Sequence, residues 1–383
     1  MSATPVRVRP ERFVAGGTAL ARGGDGRIVF VRGGVPGDDV SVEVVDDRGG
    51  FAHAVAVTVH APAPDRVLPP CPQRRAGCGG CDWQHIDTAT QLTHKAAIVS
   101  DALRRTARLP DADVRIGGSV PSQGYRTTVR VVGDAEGRAA YRRERSHDTV
   151  PAAGCLVAHP GLQPQLEHPV EPGHEVTIRV AAATGAVTRG SGALTERIAG
   201  VDLQVSAGAF FQSGPAAAEL LVDAVRRAAP ELRSAARVVD AYAGVGLFAA
   251  TVVPRAAHVT TIESSSAAVA DCRANLGQRP ATIVCAEVAR WRPDAAPYDV
   301  VIADPARTGL AKPGVTALAR AQAPVFVLVS CDPAALARDA ALLAGHGYRH
   351  EYTEVLDLFP HTHHVEAVTR FIRGQTPDET LRA

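Results

Sequence analysis

The chain has 383 residues, 46% hydrophobic and 21% charged, which is long enough for two or three domains with separate cores and too ordinary in composition for a disordered or fibrous protein. A formal net charge of +1 excludes a uniformly basic coat for nucleic acid while leaving room for a local basic patch. No apolar run reaches membrane-spanning length and "MSATPVRVRPERF" lacks the apolar core of a secretory signal, so a cytoplasmic monomer with no membrane partner is expected.

Residues 1–60 carry short alternating runs, "GGDGRIVFVRGG", "VPGDDVSVEVV" and "FAHAVAVTVH", cut by Gly and Asp turns; these predict a small OB-like β-barrel. The proline-rich "APAPDRVLPPCP" marks a boundary. Residues 61–205 predict a small α+β middle domain, with a helix over 91–108 and strands at "YRTTVRVV" and "EVTIRVAAA". From 206 to 383 apolar runs alternate with helical stretches: "RVVDAYAGVGLFAATVV", "HVTTIESSSAAVADCRANL", "ATIVCAE", "YDVVIADP" and "VFVLVS". That alternation predicts an α/β doubly wound parallel sheet of Rossmann-like type. The end departs from it, because "YRHEYTEVLDLF" and "EAVTRFIR" read as adjacent antiparallel strands.

Several strand ends carry chemistry. Val325–Val329 suits a strand buried on both faces, and Asp332 with Pro333 supplies an N-cap and first turn, so Cys331 falls between a strand end and a helix N-terminus. A thiol placed there is expected to lose its proton more easily. Gly244, Gly246 and Ala249 follow "RVVD" in the G-x-G-x-x-A form of a nucleotide loop, with Glu263 nineteen residues after Gly244 to meet ribose hydroxyls. The loop fits NAD and S-adenosylmethionine alike. Asp304 ends the next strand of "ADPARTGL"; a carboxylate and a thiol beside the nucleotide loop, without hydride-transfer apparatus, favour group transfer to an electrophilic ring.

Seven cysteines without a signal segment argue against a disulfide framework. Cys71, Cys78 and Cys81 in "CPQRRAGCGGC", completed by Cys155, suit either tetrahedral zinc or an iron-sulfur cluster. Cys272 and Cys285 read as small buried hydrophobes. In "FPHTHHVEAV", His361, His363 and His364 read as a turn that orients Glu366 rather than as a metal site. Between Arg104 and Arg145 ten arginines face five acids, which makes either a solvated face or a phosphate-contacting surface.

Taken together these residues resemble the bacterial RNA uridine C5-methyltransferase family that acts on 23S ribosomal RNA and, in a shorter relative, on transfer RNA. The resemblance spans almost the whole chain. "GTALARGGDGRIVFVRGGVPGD" resembles a TRAM domain, and "CPQRRAGCGGC" with Cys155 resembles a 4Fe-4S site. "FFQSG", "DAYAGVGLF", the strand ending in Glu263, "ADPARTGL", and "SCDP" with "FPHTHHVE" follow in the family's order. The resemblance implies a class I S-adenosylmethionine-dependent enzyme in which Gln212, Tyr242, Gly244, Glu263 and Asp304 bind the methyl donor, Cys331 is the nucleophile and Glu366 the base. It further implies a 4Fe-4S cluster on Cys71, Cys78, Cys81 and Cys155, and RNA as partner, 23S ahead of transfer RNA. Gly214 and Asp332 stand where the family usually has Asn, Ala306 where it has a second Pro, and Leu247 where a polar residue is common. An NAD oxidoreductase, a methyltransferase for DNA cytosine or a small molecule, and an RNA-binding module without catalysis are the competing readings.

Overall fold

In the computed structural model, which describes residues 5–294 and 297–374, the alternating runs of the first sixty positions form six strands. These are β1 (Val6–Val8), β2 (Arg12–Phe13), β3 (Ala19–Arg22), β4 (Ile28–Arg32), β5 (Asp39–Asp47) and β6 (Phe51–Ala61). They make one sheet in the order β1-β5-β6-β4-β3-β2, antiparallel except for the β4–β6 pair. Three register shifts along β5–β6 bend it, as bulges do. Val8, Ala21, Val29, Val31, Val40, Val42 and Ala54 fill its inner face. Residues 1–4 and 375–383, the outer ends of the first and last expected domains, lie outside the described residues.

The cysteine-bearing segment has little regular structure beyond α1 (Pro72–Arg75). After it, α2 (Thr88–Arg105) starts three residues before the sequence periodicity suggests, because the Asp87 side chain accepts the Ala89 amide and draws the Thr-rich first turn into the helix. Next come β7 (Val114–Ser119), β8 (Thr128–Gly133), β9 (Ala139–Arg142), β10 (Thr149–Pro151), α3 (Gln163–Glu167), β11 (Glu175–Val180) and β12 (Val187–Arg189). β8–β12 form a five-stranded sheet, and β13 (Ala193–Ile198) with β14 (Val201–Ser206) forms a hairpin.

The C-terminal half holds α4 (Pro215–Ala228), β15 (Arg237–Ala241), α5 (Leu247–Thr251), β16 (His258–Glu263), α6 (Ser266–Leu276), β17 (Ala281–Cys285) and β18 (Val300–Ala303). It ends with α7 (Ala311–Ala319), β19 (Val325–Ser330), α8 (Pro333–Ala344), β20 (Tyr348–Asp357) and β21 (Glu366–Arg373). The strand order is β17-β16-β15-β18-β19-β21-β20-β7. β15 to β19 run parallel and β21 pairs antiparallel with both β19 and β20. Residues of α4, α5 and α6 pack one face, while α2, α7 and α8 pack the other, which gives the doubly wound arrangement that continuous apolar strands need. The chain order reverses between β15 and β18, and the crevice beyond those strand ends is where such sheets hold ligands.

Two features depart from the linear reading. β7 joins the large sheet parallel to β20, and α2 lies in its core, although both precede residue 206. Cys285 is exposed rather than buried, because β17 is the edge strand and the cysteine is its last residue; Cys272, inside α6, is buried.

Candidate active site

The register of the sheet brings together residues that the sequence singles out. Ser330 pairs with Ala367, so the next residues on β19 and β21 are Cys331 and Glu366, which emerge side by side although 35 positions separate them in sequence. Ala241 pairs with Ala303, so Tyr242 and Asp304 leave the neighbouring strands at the same level. Glu263 ends β16, where its carboxylate accepts the amides of Gly244 at 3.0 Å and Ser265 at 2.7 Å. The glycine loop and the acid therefore face one crevice. A Cβ on Gly244 would meet no atom within 4 Å, whereas one on Gly246 would stand 3.0 Å from Cys272 Sγ, so the first glycine borders open space and the second is a packing position. Tyr242 holds a positive φ of 60°, an uncommon conformation for a tyrosine and a mark of a site whose surroundings over-determine the backbone. Gln212 is buried next to Ser213, whose hydroxyl donates to Leu358 O. At Gly214 a Cβ would lie 2.3 Å from Tyr125 O, so this chain has no room there for the Asn that the resemblance leads one to expect.

The sequence reading missed Asp240, the acid inside β15. It is fully buried, its Oδ2 accepts the Ala249 amide at 2.8 Å, and its Oδ1 has no partner among the described residues. Burial, with Asp304 and Glu263 nearby, pushes its carboxyl up to about 7. A lone acid in the apolar run "RVVD" just before the glycine loop was the available signal. Burial also raises Asp304, and it raises Glu366 well above the carboxylate range with Asp304 adding to the effect; the two titrate as a pair.

The expected easy ionisation of Cys331 is not what the fold produces. Burial first, then the charges of Glu366 and Asp304, push the thiol up to about 12, against a weaker opposing pull from Arg307. The helix end cannot reverse this, since Asp332 Oδ1 itself accepts the Ala335 amide at 2.7 Å and so occupies the N-terminus of α8. Cys331 is half-buried and opens into a cavity of about 80 Å³ lined also by Arg307 and His364, with Ala15 and Gly16 from the turn between β2 and β3. Burial, with His363 and Arg307 adding, lowers His364 to about 4, and as a neutral ring it accepts from Arg307 at 3.3 Å. A larger cavity of about 450 Å³, beside the C-terminal ends of α4 and α5, contains none of the crevice residues.

In a second place Cys78 lies within electrostatic reach of Cys155 and Cys71, and Cys81 within reach of Cys155 and Cys78. Cys78 is raised by burial first and then by Cys155 and Cys71; Cys81 is pushed up to about 12 by burial, then by Cys155 and Cys78. Among the described residues no group of three His, Cys, Asp or Glu side chains is gathered as a single metal ion requires. The turn of His361, His363 and His364 forms no such group either.

No protein-family model matches the chain. A Streptomyces avermitilis protein named as an uncharacterized RNA methyltransferase is 32% identical over 415 residues, covering 92% of this chain and 94% of its own. The 23S rRNA (uracil(1939)-C(5))-methyltransferase of Chromohalobacter salexigens is 33% identical over 426 residues, covering 95% and 88%. Of solved structures, the tRNA (uracil-54, C5)-methyltransferase of Pyrococcus abyssi in complex with S-adenosyl-L-homocysteine matches with a TM-score of 0.75 at 22% identity, over 96% of this chain and 99% of that one. This last likeness is one of fold and extends it from the sheet to nearly every described residue. Sequence identity at that level along the whole length, on a sheet with this crevice, means that the chain belongs to the RNA methyltransferase family that includes the 23S rRNA uracil-C5 enzymes.

Proposed function

We propose that this protein transfers a methyl group from S-adenosylmethionine to carbon 5 of a uridine in RNA, with 23S rRNA as the substrate. The observation that carries the reading is the emergence of Cys331 and Glu366 on adjacent strand ends beside Asp304. S-adenosylmethionine supplies a methyl group on a positively charged sulfur. Glu263 and Asp304 suit such a ligand, because carboxylates at these strand ends match an ammonium group, a sulfonium and ribose hydroxyls. Gln212, Tyr242, Gly244, Glu263 and Asp304 are the residues assigned to hold it.

Carbon 5 of uracil is a weak nucleophile. Addition of the Cys331 thiolate to carbon 6 sends electron density through the ring and makes carbon 5 enolate-like, able to take the methyl. Carbon 5 then carries both a methyl and a hydrogen; Glu366 removes that proton, and the electron pair expels Cys331. Glu366 takes that proton as its carboxylate, and burial with Asp304 nearby raises the affinity with which it holds it. The Cys331 thiol, raised by burial and by Glu366 and Asp304, needs positive charge to ionise, and Arg307 already pulls in that direction. The uridine must leave its stack to reach the pocket, at a cost of about a few kcal/mol that favours unpaired positions.

The cysteine quartet is assigned a 4Fe-4S cluster. Cys155 and Cys78 act electrostatically on Cys81, and Cys155 and Cys71 on Cys78, so the four thiols of this spacing lie in one region of the fold, and four thiolates are the usual ligand set of such a cluster. Bound there, it would cross-link a segment with little secondary structure of its own. The N-terminal sheet is assigned as a TRAM-like module that holds RNA together with the arginine-rich β9–β10 hairpin. The test is chemical. Cys331→Ser should abolish both methyl transfer and a covalent adduct with RNA, whereas Glu366→Gln should accumulate the adduct; normal turnover by Glu366→Gln would refute the base assignment. Purified protein should be brown, and a colourless zinc-loaded protein would refute the cluster.

A further inference from the structure

The loop from 358 to 365 leaves β20 and returns as Glu366, and its polar groups are held almost entirely from outside the large sheet. Ser213 Oγ donates to Leu358 O, Lys95 Nζ to Phe359 O at 3.2 Å, and Tyr125 OH to Pro360 O at 3.2 Å. His361, at a strained φ of 68°, donates its amide to Gln91 Oε1 at 2.7 Å and accepts from the Trp83 amide at 2.8 Å. The last of these attachments before Glu366 is Asp82, the residue after Cys81. Its Oδ1 accepts the His363 amide at 3.2 Å, and its Oδ2 lies 2.7 Å from His363 Nδ1. His363 is in turn packed on both sides. A Cβ on Gly17 would stand 2.3 Å from His363 Cβ, and the rings of His363 and His364 have centroids 4.4 Å apart. His364 meets Arg307 at the mouth of the Cys331 cavity.

We infer that Asp82 is a positioning residue for the methyl transfer: through His363 it ties the cysteine-bearing segment to the loop that places Glu366 beside the target ring. The inference rests on the proposed function and deepens it by giving the cysteine segment a task at the reacting base. The Asp82–His363 contact is half-exposed, with side-chain exposures of 32% and 30%, so it adds little to global stability, and its structural use is local. A small displacement of Glu366 relative to carbon 5 slows proton removal while leaving thiolate addition and methyl transfer in place.

The experiment uses the full-length, metal-loaded protein with an RNA substrate and S-adenosylmethionine. Asp82→Ala should lower kcat by about tenfold to a hundredfold, with the KM for S-adenosylmethionine, RNA affinity and metal content within twofold of the parent, and should accumulate a covalent Cys331–RNA adduct. Asp82→Asn keeps an oxygen for His363 Nδ1–H and should restore most of kcat. His363→Ala should reproduce the loss and add nothing to Asp82→Ala in the double variant, which tests the pair even where one single variant folds poorly. Unchanged kcat in both single variants overturns the inference alone, as does a loss that tracks metal content or donor affinity without adduct. A wild-type protein that leaves carbon 5 of uridine unmethylated overturns the function beneath it.

Discussion

On the wall of the crevice built by strand ends, Asp240 and Glu366 are buried and Asp304 is half-buried, without a cation bonded to them among the described residues, and desolvation raises the proton affinity of all three. Where the cysteine segment and α2 meet the end of β20 and the turn after β9, three acids are paired instead. Asp357 faces Lys95 at 2.7 Å, Asp82 faces His363, and Glu144 lies between Arg32 and Arg74, joining the N-terminal sheet to the cysteine turn. The second region is satisfied by itself, as a scaffold must be. The first gathers acids from three strands with little water around them, and burial raises their proton affinity.

The sharpest way to break the contrast is to disturb the paired region. Lys95 is fully buried, so Lys95→Met should strand the Asp357 carboxylate and cost about 3–5 kcal/mol in urea unfolding, with much of that recovered in Lys95→Met/Asp357→Asn. If the single variant costs under about 1 kcal/mol, the region is not anchored as described. On the unpaired wall, a thiol pushed up to about 12 is scarcely ionised near neutrality, so iodoacetamide at pH 8 should label Cys331 roughly a hundredfold more slowly than exposed Cys285. Mass spectrometry of the labelled peptides reads this directly, and equal rates would remove the argument that the crevice holds the thiol protonated.

Asp240 sharpens the comparison through pH. Its folded form binds a proton up to about 7, while the unfolded chain releases it near the ordinary value of about 3.9. Between those values the unfolded state binds fewer protons, so this group lowers stability as pH rises, and the loss is complete above about 7. Asp240→Asn should therefore stabilise the ligand-free protein, and the gain at pH 8 should exceed that at pH 5 by about 2 kcal/mol. A gain independent of pH would show that the acid is solvated. The smallest effect belongs to Asp332→Ala, which removes the N-cap of α8 at a cost of about 1 kcal/mol in thermal unfolding.

How much of this was legible beforehand differs by residue. The strands ending at Glu263, Asp304 and Cys331 were readable because continuous apolar runs announce strands buried on both faces and Asp332-Pro333 announces a helix start. Asp240 went unnoticed because a carboxylate inside an apolar run looks like a surface residue until both faces are known to be covered. The sequence pattern placed Cys331 beside a helix end and so suggested a reactive thiol. The fold surrounds it with acids from two other strands, and those through-space charges have no linear signature. Likewise α2 and β7 read as parts of a middle domain because nothing local says which sheet edge a strand will join.

The amino-acid sequence by itself determined which residues end strands, which cap helices and which sulfurs and carboxylates are available, because hydrophobic periodicity and capping are short-range matters of backbone geometry and water. Only the tertiary structure decided the protonation of those groups and their companions. The antiparallel return of β21 set Glu366 beside Cys331, and the docking of the cysteine segment set Asp82 under His363. Charge and burial act across space, so their outcome at the crevice exists only once distant parts of the chain have met.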